Sequence, residues 1–207
     1  MIFMNSKFFI STLILVLGFF SFTCDDHNSS SSHHHEHEPL LAASEPASGS
    51  LMELKNQWTT EDGKLISFAN WKGKPFLISM FYASCISICP RLVTDLEQVA
   101  KKIQSETGKA PNVILVSFDS EKDKPEILKD YKKKMGLGQN WTLLNGKEED
   151  VRMLSVVLGI NYKKMASGEF NHSAVITLFD KDGTNVSRFE GIGTNSEQMV
   201  KIFASMN

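Results

Sequence analysis

Two of the chain's three cysteines stand close together in the segment Phe81–Pro90, which reads Phe-Tyr-Ala-Ser-Cys-Ile-Ser-Ile-Cys-Pro. The apolar run before them, Pro75–Tyr82, is too short for a helix and is typical of a buried strand. Pro90 is tolerated in the first turn of a helix, because its missing N–H would have no partner there. We therefore predict Cys85 and Cys89 at a strand-to-helix junction, where the helix dipole and free N–H groups favour thiolates. Thiolates are the nucleophiles of disulfide chemistry and the ligands of soft metals, so this stretch is a reactive site.

A single histidine is available to join the two cysteines in the predicted folded domain. Five of the six histidines fall in a polar N-terminal segment, namely His27, His33, His34, His35 and His37. The sixth, His172, lies where a predicted loop enters a strand. Two thiolates and one imidazole suit copper, since sulfur favours Cu(I) and nitrogen helps to hold Cu(II). Structural zinc would ordinarily need a fourth protein ligand, and the domain has no further Cys or His.

The same three residues also allow plainer interpretations. A structural disulfide between Cys85 and Cys89 would close so small a loop that it removes little chain entropy, so it would stabilise the domain poorly. A lone histidine is ordinarily a core residue with satisfied hydrogen bonds. The interest of His172 therefore depends on its being combined with the cysteine pair.

The elements that must position this site alternate between strands and helices. Strands are predicted at 75–82, 112–118, 141–144, 173–179 and 186–189. Helices are predicted to begin near Pro90, Pro125 and Glu148, and Thr194-Asn-Ser-Glu197 is a capping box that opens a last helix. Asp-Gly turns predict hairpins at 58–68 and 173–189, and 159–171 is predicted as a loop.

This order of elements indicates a central mixed β-sheet covered on both faces. The cysteine motif at the first strand-to-helix junction favours one member of the α/β class, the thioredoxin-like fold, here preceded by an N-terminal β-hairpin. At 207 residues and 42% hydrophobic, the chain can bury one sizeable core. Its net charge of -2 and the absence of a basic block give no indication of a nucleic-acid partner.

Residues 1–23 have the layout of an export signal or membrane anchor. Lys7 precedes the uncharged apolar run Phe8–Phe22, which is short for a membrane span. Cys24, directly after this run, resembles the lipidation site of a bacterial lipoprotein. Cleavage, lipidation and a retained anchor all place the rest of the chain outside the cytoplasm, on the periplasmic face of a membrane.

Residues 24–47 are rich in Ser, His, Glu, Ala and Pro and show no apolar periodicity, so we predict a disordered tether before a domain at 48–207. Its tract His33-His-His-Glu-His37 could gather copper, zinc or nickel, because neutral imidazoles bind these metals well. The alternative is a solvated spacer whose histidines have no specific role.

Three motifs of the chain resemble those of the Sco (SenC) family, thioredoxin-like copper proteins tied to assembly of the CuA centre of cytochrome c oxidase. Cys85-Ile-Ser-Ile-Cys89-Pro90 matches the family's C-x-x-x-C-P, and Asn171-His172-Ser173 matches its D-H-[ST]. The segment Val116–Pro125 resembles V-S-x-D-P-x-x-D-x-P, and the likeness extends over residues 58–203. It implies that Cys85, Cys89 and His172 bind copper.

The resemblance has a less definite meaning for Asp119–Asp123, which the family associates with copper handling and partner contact; helix capping and loop charge are the alternative. Two departures from the family pattern also stand out. Ile86-Ser87-Ile88 lacks the family's usual acid in the cysteine loop, and Asn171 replaces the usual Asp. Both remove negative charge near the site, which should disfavour Cu(II) relative to Cu(I).

Three functions remain open. The first is a copper-binding assembly factor that serves the CuA-bearing oxidase subunit or another copper chaperone, held at the membrane by its N-terminal anchor or a lipid. The second is an exported thiol–disulfide oxidoreductase that reduces target cysteines, although its cysteine spacing exceeds C-x-x-C by one residue. The third is a copper buffer in which the histidine tract binds most of the metal.

Overall fold

The computed structural model describes residues 39–193 and 197–206. The predicted export segment, Cys24, the histidine tract and residues 194–196 of the capping box lie outside the described residues. Within those two ranges, no helix combines the length and the apolar character needed to span a lipid bilayer.

The described residues form nine β-strands, four α-helices and two short 3-10 turns. The strands are β1 (Trp58–Thr60), β2 (Leu65–Ile66), β3 (Phe76–Phe81), β4 (Asn112–Ser117), β5 (Trp141–Asn145), β6 (Tyr162–Lys164), β7 (Phe170–His172), β8 (Val175–Phe179) and β9 (Asn185–Glu190). The helices are α1 (Ile88–Thr107), α2 (Pro125–Lys134), α3 (Glu148–Leu158) and α4 (Glu197–Ser205).

Seven of these strands form one mixed sheet in the order β2-β1-β5-β4-β3-β8-β9. The central strands β3, β4 and β5 are parallel, whereas β1, β2, β8 and β9 join by antiparallel pairing. All residues of β3 and β8 are buried. Because successive side chains of a strand point to opposite faces, both faces of the sheet centre are covered. The predicted α/β class, the N-terminal hairpin β1–β2 and the thioredoxin-like fold are confirmed.

Helix α1 carries the cysteine motif at its start and is fixed by one apolar face. Leu92, Leu96, Val99 and Ile103 are all buried, as their helical spacing predicts. The helix ends at Gly108, whose φ of 73° gives the left-handed cap that glycine adopts without strain. Helix α4 packs against α1. Burial of this apolar face and packing against α4 hold α1 in the domain.

The predicted loop at 159–171 was wrong, since it contains the separate two-stranded hairpin β6–β7. Tyr162 pairs with His172, and Lys164 pairs with Phe170. Each strand has three residues, and Lys163 and Lys164 are exposed. So short a strand with charged outer residues gives no alternating pattern that would distinguish it from a loop.

Residues 39–47 contain no helix or strand, but they contact the sheet and its helices. The Ser44 N–H donates to the Gly159 carbonyl at 2.9 Å, and the Arg188 guanidinium donates to the Ser44 carbonyl at 3.0 Å. The chain is thus bonded to the domain ahead of residue 48. The boundaries between export segment, tether and domain stay predictions.

Candidate metal centre

The two cysteines lie where strand β3 leads into helix α1, as predicted. Cys85 follows a tight turn, in which its N–H donates to the Tyr82 carbonyl at 3.2 Å. Cys89 is the second residue of α1, and Pro90 falls in the first helical turn. The Cys89 N–H donates to the Cys85 sulfur at 3.4 Å. An N–H of the first helical turn, which has no partner within the helix, is therefore directed at one of the two sulfurs.

A buried carboxylate from the next connection anchors the cysteine loop. Oδ2 of Asp123 accepts the N–H of Ala83 at 2.8 Å and also the hydroxyl of Ser117, at the end of β4. Asp123 is 2% exposed, and burial raises the pKa of its carboxyl. One residue of the Asp119–Asp123 stretch therefore holds the backbone two positions before Cys85.

His172 ends strand β7, and its imidazole is fully buried beside Cys89. Nε2 of His172 lies 3.5 Å from the Cys89 sulfur. Nδ1 lies 3.0 Å from the carbonyl oxygen of Ser173. Because a carbonyl can only accept, Nδ1 carries a proton, and the lone pair of Nε2 in the neutral ring faces Cys89. This hydrogen bond fixes the tautomer that a metal-ligating histidine needs.

Aromatic rings enclose the imidazole. The ring of Phe118 lies 4.9 Å from that of His172, and the ring of Tyr82 meets it edge-on at 6.3 Å. Phe170 packs against Tyr82 at 5.2 Å, and burial, followed by the Cys85 sulfur, raises the pKa of the Tyr82 phenol. The sequence alone does not identify these three aromatic residues as part of the site, because aromatic rings at strand ends are ordinarily core residues. The position of Tyr82, three residues before Cys85, was the available signal.

The two thiols have opposite electrostatic environments. A hydrogen bond from the Cys89 thiol, helped by the backbone N–H groups of Ser87 and Cys89, lowers the pKa of Cys85 to about 3 despite burial. Burial first, and then the neighbouring Cys85 sulfur, raises the pKa of Cys89 well above its ordinary value. Cys85 is 7% exposed and Cys89 is 0% exposed. The pair is thus one slightly accessible thiolate beside one buried thiol.

The separation of the sulfur and nitrogen donors suits a shared ion. Bonds from soft metals to imidazole nitrogen and thiolate sulfur are about 2.0 and 2.3 Å, so two such donors on one tetrahedral ion lie roughly 3.5 Å apart. Cys89 Sγ and His172 Nε2 have this separation. Within residues 39–193 and 197–206, no three His, Cys, Asp or Glu side chains form a complete metal site as they stand.

The structure brings Cys85, Cys89 and His172 into one cluster; their role as metal ligands stays a prediction. Asp119, the other acid of the Asp119–Asp123 stretch, is also buried, and its Oδ1 accepts the N–H of Lys122 at 3.1 Å. Asp119 thus stabilises the turn that leads to α2.

The sequence and the fold both match known proteins. A family model described as SCO1/SenC matches residues 45–207. The "SCO1 protein homolog" of Bacillus subtilis is 27% identical over 136 residues, which are 64% of this chain and 70% of the relative.

Two solved structures show the same fold. The structure of a SCO1/SenC family lipoprotein from Bacillus anthracis aligns with a TM-score of 0.68 and 25% identity, covering 75% of this chain and 95% of that one. Bradyrhizobium japonicum ScoI with copper bound aligns with a TM-score of 0.61 and 25% identity, covering 77% and 99%. The family model alone spans well over half of the sequence, and this chain belongs to the SCO1/SenC family.

Proposed function

We propose that this chain is a copper-binding assembly factor for the CuA centre of cytochrome c oxidase and holds copper through Cys85, Cys89 and His172. The observation that carries the proposal is the 3.5 Å separation of Cys89 Sγ and His172 Nε2, beside the Cys85 thiolate. Membership of a family linked to cytochrome c oxidase assembly supports it. The copper-bound structure of a 25% identical relative supports the choice of metal.

The chemistry of the donor set fits copper. Two sulfurs and one imidazole can hold Cu(I) and can also accept Cu(II), which gives the ion a soft, low-coordinate site from which it can be passed on. The Cys85 thiolate is ready to bind, whereas Cys89 must lose its proton when a metal arrives. The loop residues Ile86–Ile88 carry no charge, which favours the monovalent ion.

The recipient that this function implies is the CuA-bearing oxidase subunit, and a second copper chaperone is a further exchange partner. Copper transfer to either partner requires an exported protein on the periplasmic face of a membrane. A lipid on Cys24 or the apolar segment Phe8–Phe22 would hold it there. That a structural relative is a lipoprotein supports this placement.

A copper titration of the reduced full chain tests the proposal. The tether histidines at positions 27, 33, 34, 35 and 37 are changed to Ser in every sample, so that bound copper reports on the domain alone. We expect one equivalent of copper and sulfur-to-Cu(II) charge-transfer absorption, both weakened in His172→Ala. Unchanged affinity and absorption in His172→Ala would contradict the proposed site.

The opposite pKa shifts of the two thiols favour a second candidate, a thiol–disulfide oxidoreductase. The Cys85 thiolate would attack one sulfur of a target disulfide and release the other target sulfur as a thiolate. Cys89, after losing its proton, would attack the Cys85 sulfur and release the second target thiolate. The target gains two electrons, and the chain is left with a Cys85–Cys89 disulfide.

Trapping of the mixed disulfide with a target protein tests the oxidoreductase candidate. Cys89→Ser retains the attacking Cys85 thiol but cannot resolve the mixed disulfide, so it should accumulate covalently joined to its target. Cys85→Ser is the matched control and should capture nothing. Absence of any adduct with Cys89→Ser in vivo would count against the oxidoreductase.

A further inference from the structure

The N-terminal strap, residues Pro39–Pro46, is hydrogen-bonded, mainly through its own backbone, to the hairpin that carries His172 and to the residues around that hairpin. The carbonyls of Pro39, Ala42 and Ser44 accept hydrogen bonds from the domain, and the N–H groups of Leu41 and Ser44 donate to it. Most of these bonds are made by the strap's backbone; the Ser44 hydroxyl adds a side-chain bond to Asn161 Oδ1 at 3.5 Å, and Ala43 packs against the core.

Asn171 makes a two-point contact with the strap. Its amide oxygen accepts the N–H of Leu41 at 3.2 Å, and its amide nitrogen donates to the carbonyl of Pro39 at 3.0 Å. This contact matches the chemistry of asparagine, which both donates and accepts. An ionised aspartate, the residue expected here from the family pattern, could accept from Leu41 but could not donate to Pro39.

A second asparagine connects the strap to the other strand of the hairpin. The Asn161 side chain donates to the Ala42 carbonyl at 2.8 Å. Its backbone N–H donates to the Ser173 hydroxyl at 2.9 Å, and its carbonyl accepts the Ser173 N–H at 2.9 Å. Asn171 and Ser173, the two neighbours of His172 in the chain, are therefore both linked to the strap.

The hairpin has an inner and an outer face. Side chains alternate along strand β7, so the buried Phe170 and His172 point inward and the half-buried Asn171 points outward. Two paired strands of three residues are marginally stable by themselves. The inner face is held by aromatic packing, and the strap is bound to the outer face through Asn171, the residue next to His172.

We propose that Asn171 is a positioning residue for the metal centre, which binds the strap across the β6–β7 hairpin and thereby fixes the His172 imidazole beside Cys89. This proposal rests on the proposed function, since it takes His172 as a metal ligand. It assigns the strap to the scaffold of the site.

The test compares Asn171→Ala and Asn171→Asp with Asn140→Ala in the full chain carrying the five tether substitutions. Asn140 also donates its amide to a loop carbonyl, that of Pro111 at 2.8 Å. It precedes β5 at the amino end of the parallel strands, whereas the cysteines follow the carboxyl end of β3. Asn140→Ala therefore removes a similar bond far from the site.

Three quantities are measured: hydrogen exchange of the Leu41 amide, the carbon-bound proton signals of the His172 ring in the metal-free reduced chain, and copper affinity. We expect Asn171→Ala to speed exchange, shift the ring signals and lower copper affinity about 10- to 100-fold, the range for residues that orient metal ligands. Asn171→Asp should give values of all three quantities between those of Asn171→Ala and those of the parent chain. Asn140→Ala should leave the Leu41 exchange rate, the ring signals and the copper affinity unchanged.

Ring signals and copper affinity that are unchanged in Asn171→Ala would overturn the proposal, even if Leu41 exchanged faster. Unchanged Leu41 exchange would overturn it as well, because the contact would then contribute nothing. A parent chain that takes up no copper would overturn the proposed function. The ring signals, which are read without metal, would still decide whether Asn171 positions His172.

Discussion

The sulfur of Cys89 lies 3.5 Å from Nε2 of His172, although 83 positions separate the two residues in the chain. Helix α1 brings the cysteine to this point from one side, and hairpin β6–β7 brings the histidine from the other. The Ser173 carbonyl holds the opposite ring nitrogen at 3.0 Å. The two donors are therefore oriented by separate parts of the fold, and each part can be tested by itself.

The first prediction concerns the pH dependence of Cys85. Because its pKa is lowered to about 3, its thiolate fraction stays near one from weakly acidic pH upward. The alkylation rate of reduced chain carrying Cys24→Ser should thus be nearly flat from weakly acidic to neutral pH, as measured by mass spectrometry. An ordinary cysteine, with a pKa of about 8.5, would gain roughly tenfold per pH unit over this range.

Cys89→Ala provides the control for this prediction. It removes the thiol whose hydrogen bond contributes most to the low pKa of Cys85, so the alkylation rate should regain a pH dependence. A steep pH dependence of Cys85 in the parent chain would show that its thiolate is not stabilised.

The second prediction concerns the phenol of Tyr82. Tyr82→Phe keeps the ring beside Phe170 but removes the O–H, whose pKa is raised by burial and by the Cys85 sulfur and which we expect to donate to that thiolate. Loss of a donor to a thiolate raises its pKa, so alkylation of Cys85 should slow at acidic pH. The free energy of unfolding should fall by about 0.5–1.5 kcal/mol, the usual net value of one hydrogen bond.

Tyr131→Phe is the matched control for Tyr82→Phe. The Tyr131 phenol is buried and has no hydrogen-bond partner among the described residues, while its ring packs on Phe81 at 5.0 Å. Its removal should leave the alkylation of Cys85 unchanged. Equal effects of the two substitutions would contradict a specific contact between Tyr82 and Cys85.

The third prediction concerns stability and pH at Asp123. Burial raises its pKa in the folded state, so the carboxyl contributes stability below its unfolded pKa of about 3.9 and loses that contribution as pH rises through the folded value. Asp123→Asn keeps an oxygen to accept the Ala83 N–H and cannot ionise. In urea unfolding, the stability of Asp123→Asn relative to the parent should therefore increase from about pH 4 to about pH 7. If the difference in stability between Asp123→Asn and the parent does not vary with pH, Asp123 has the same pKa in the folded and unfolded states.

The fourth prediction concerns the packing of the strap on Gly159. This glycine has a φ of +64°, and a Cβ built on it would lie 2.2 Å from the Ser44 carbonyl oxygen. Gly136 has a similar φ of +67° but no atom within 4 Å of such a Cβ. Gly136→Ala should lower the free energy of unfolding by about 1–2 kcal/mol, because alanine is strained in a left-handed backbone conformation. Gly159→Ala should lower the free energy of unfolding clearly more and should speed hydrogen exchange of the Ser44 amide. Equal losses of stability in the two variants would mean that the strap moves away from the new methyl group at little energetic cost.

Local patterns in the sequence determined most of the sheet and the reactive half of the site. The apolar run before Cys85 and the helical spacing of Leu92, Leu96 and Val99 are properties of neighbouring residues, so periodicity was enough to place them. The position of Cys89 and Pro90 at the start of a helix followed from the same local rules. The motifs around Cys85, Cys89 and His172 also indicated the family.

Tertiary structure decided what surrounds the cysteines. The hairpin that carries His172 is too short to produce a period, and its Tyr162 and His172 rings pack against Phe118, which is distant in the chain. The unequal pKa values of Cys85 and Cys89 arise from burial and from a hydrogen bond between two side chains. Neither effect follows from residue type or spacing.

The contacts of the strap, residues Pro39–Pro46, also do not follow from local sequence patterns. The longer segment that contains the strap, residues 24–47, shows no apolar periodicity, so the sequence predicts a disordered tether there. The strap is ordered by side-chain amides of Asn161 and Asn171 that bind its backbone, and backbone groups are the same in every sequence. The sequence by itself predicted which residues would bind a metal, and the fold decided which residues hold them in position.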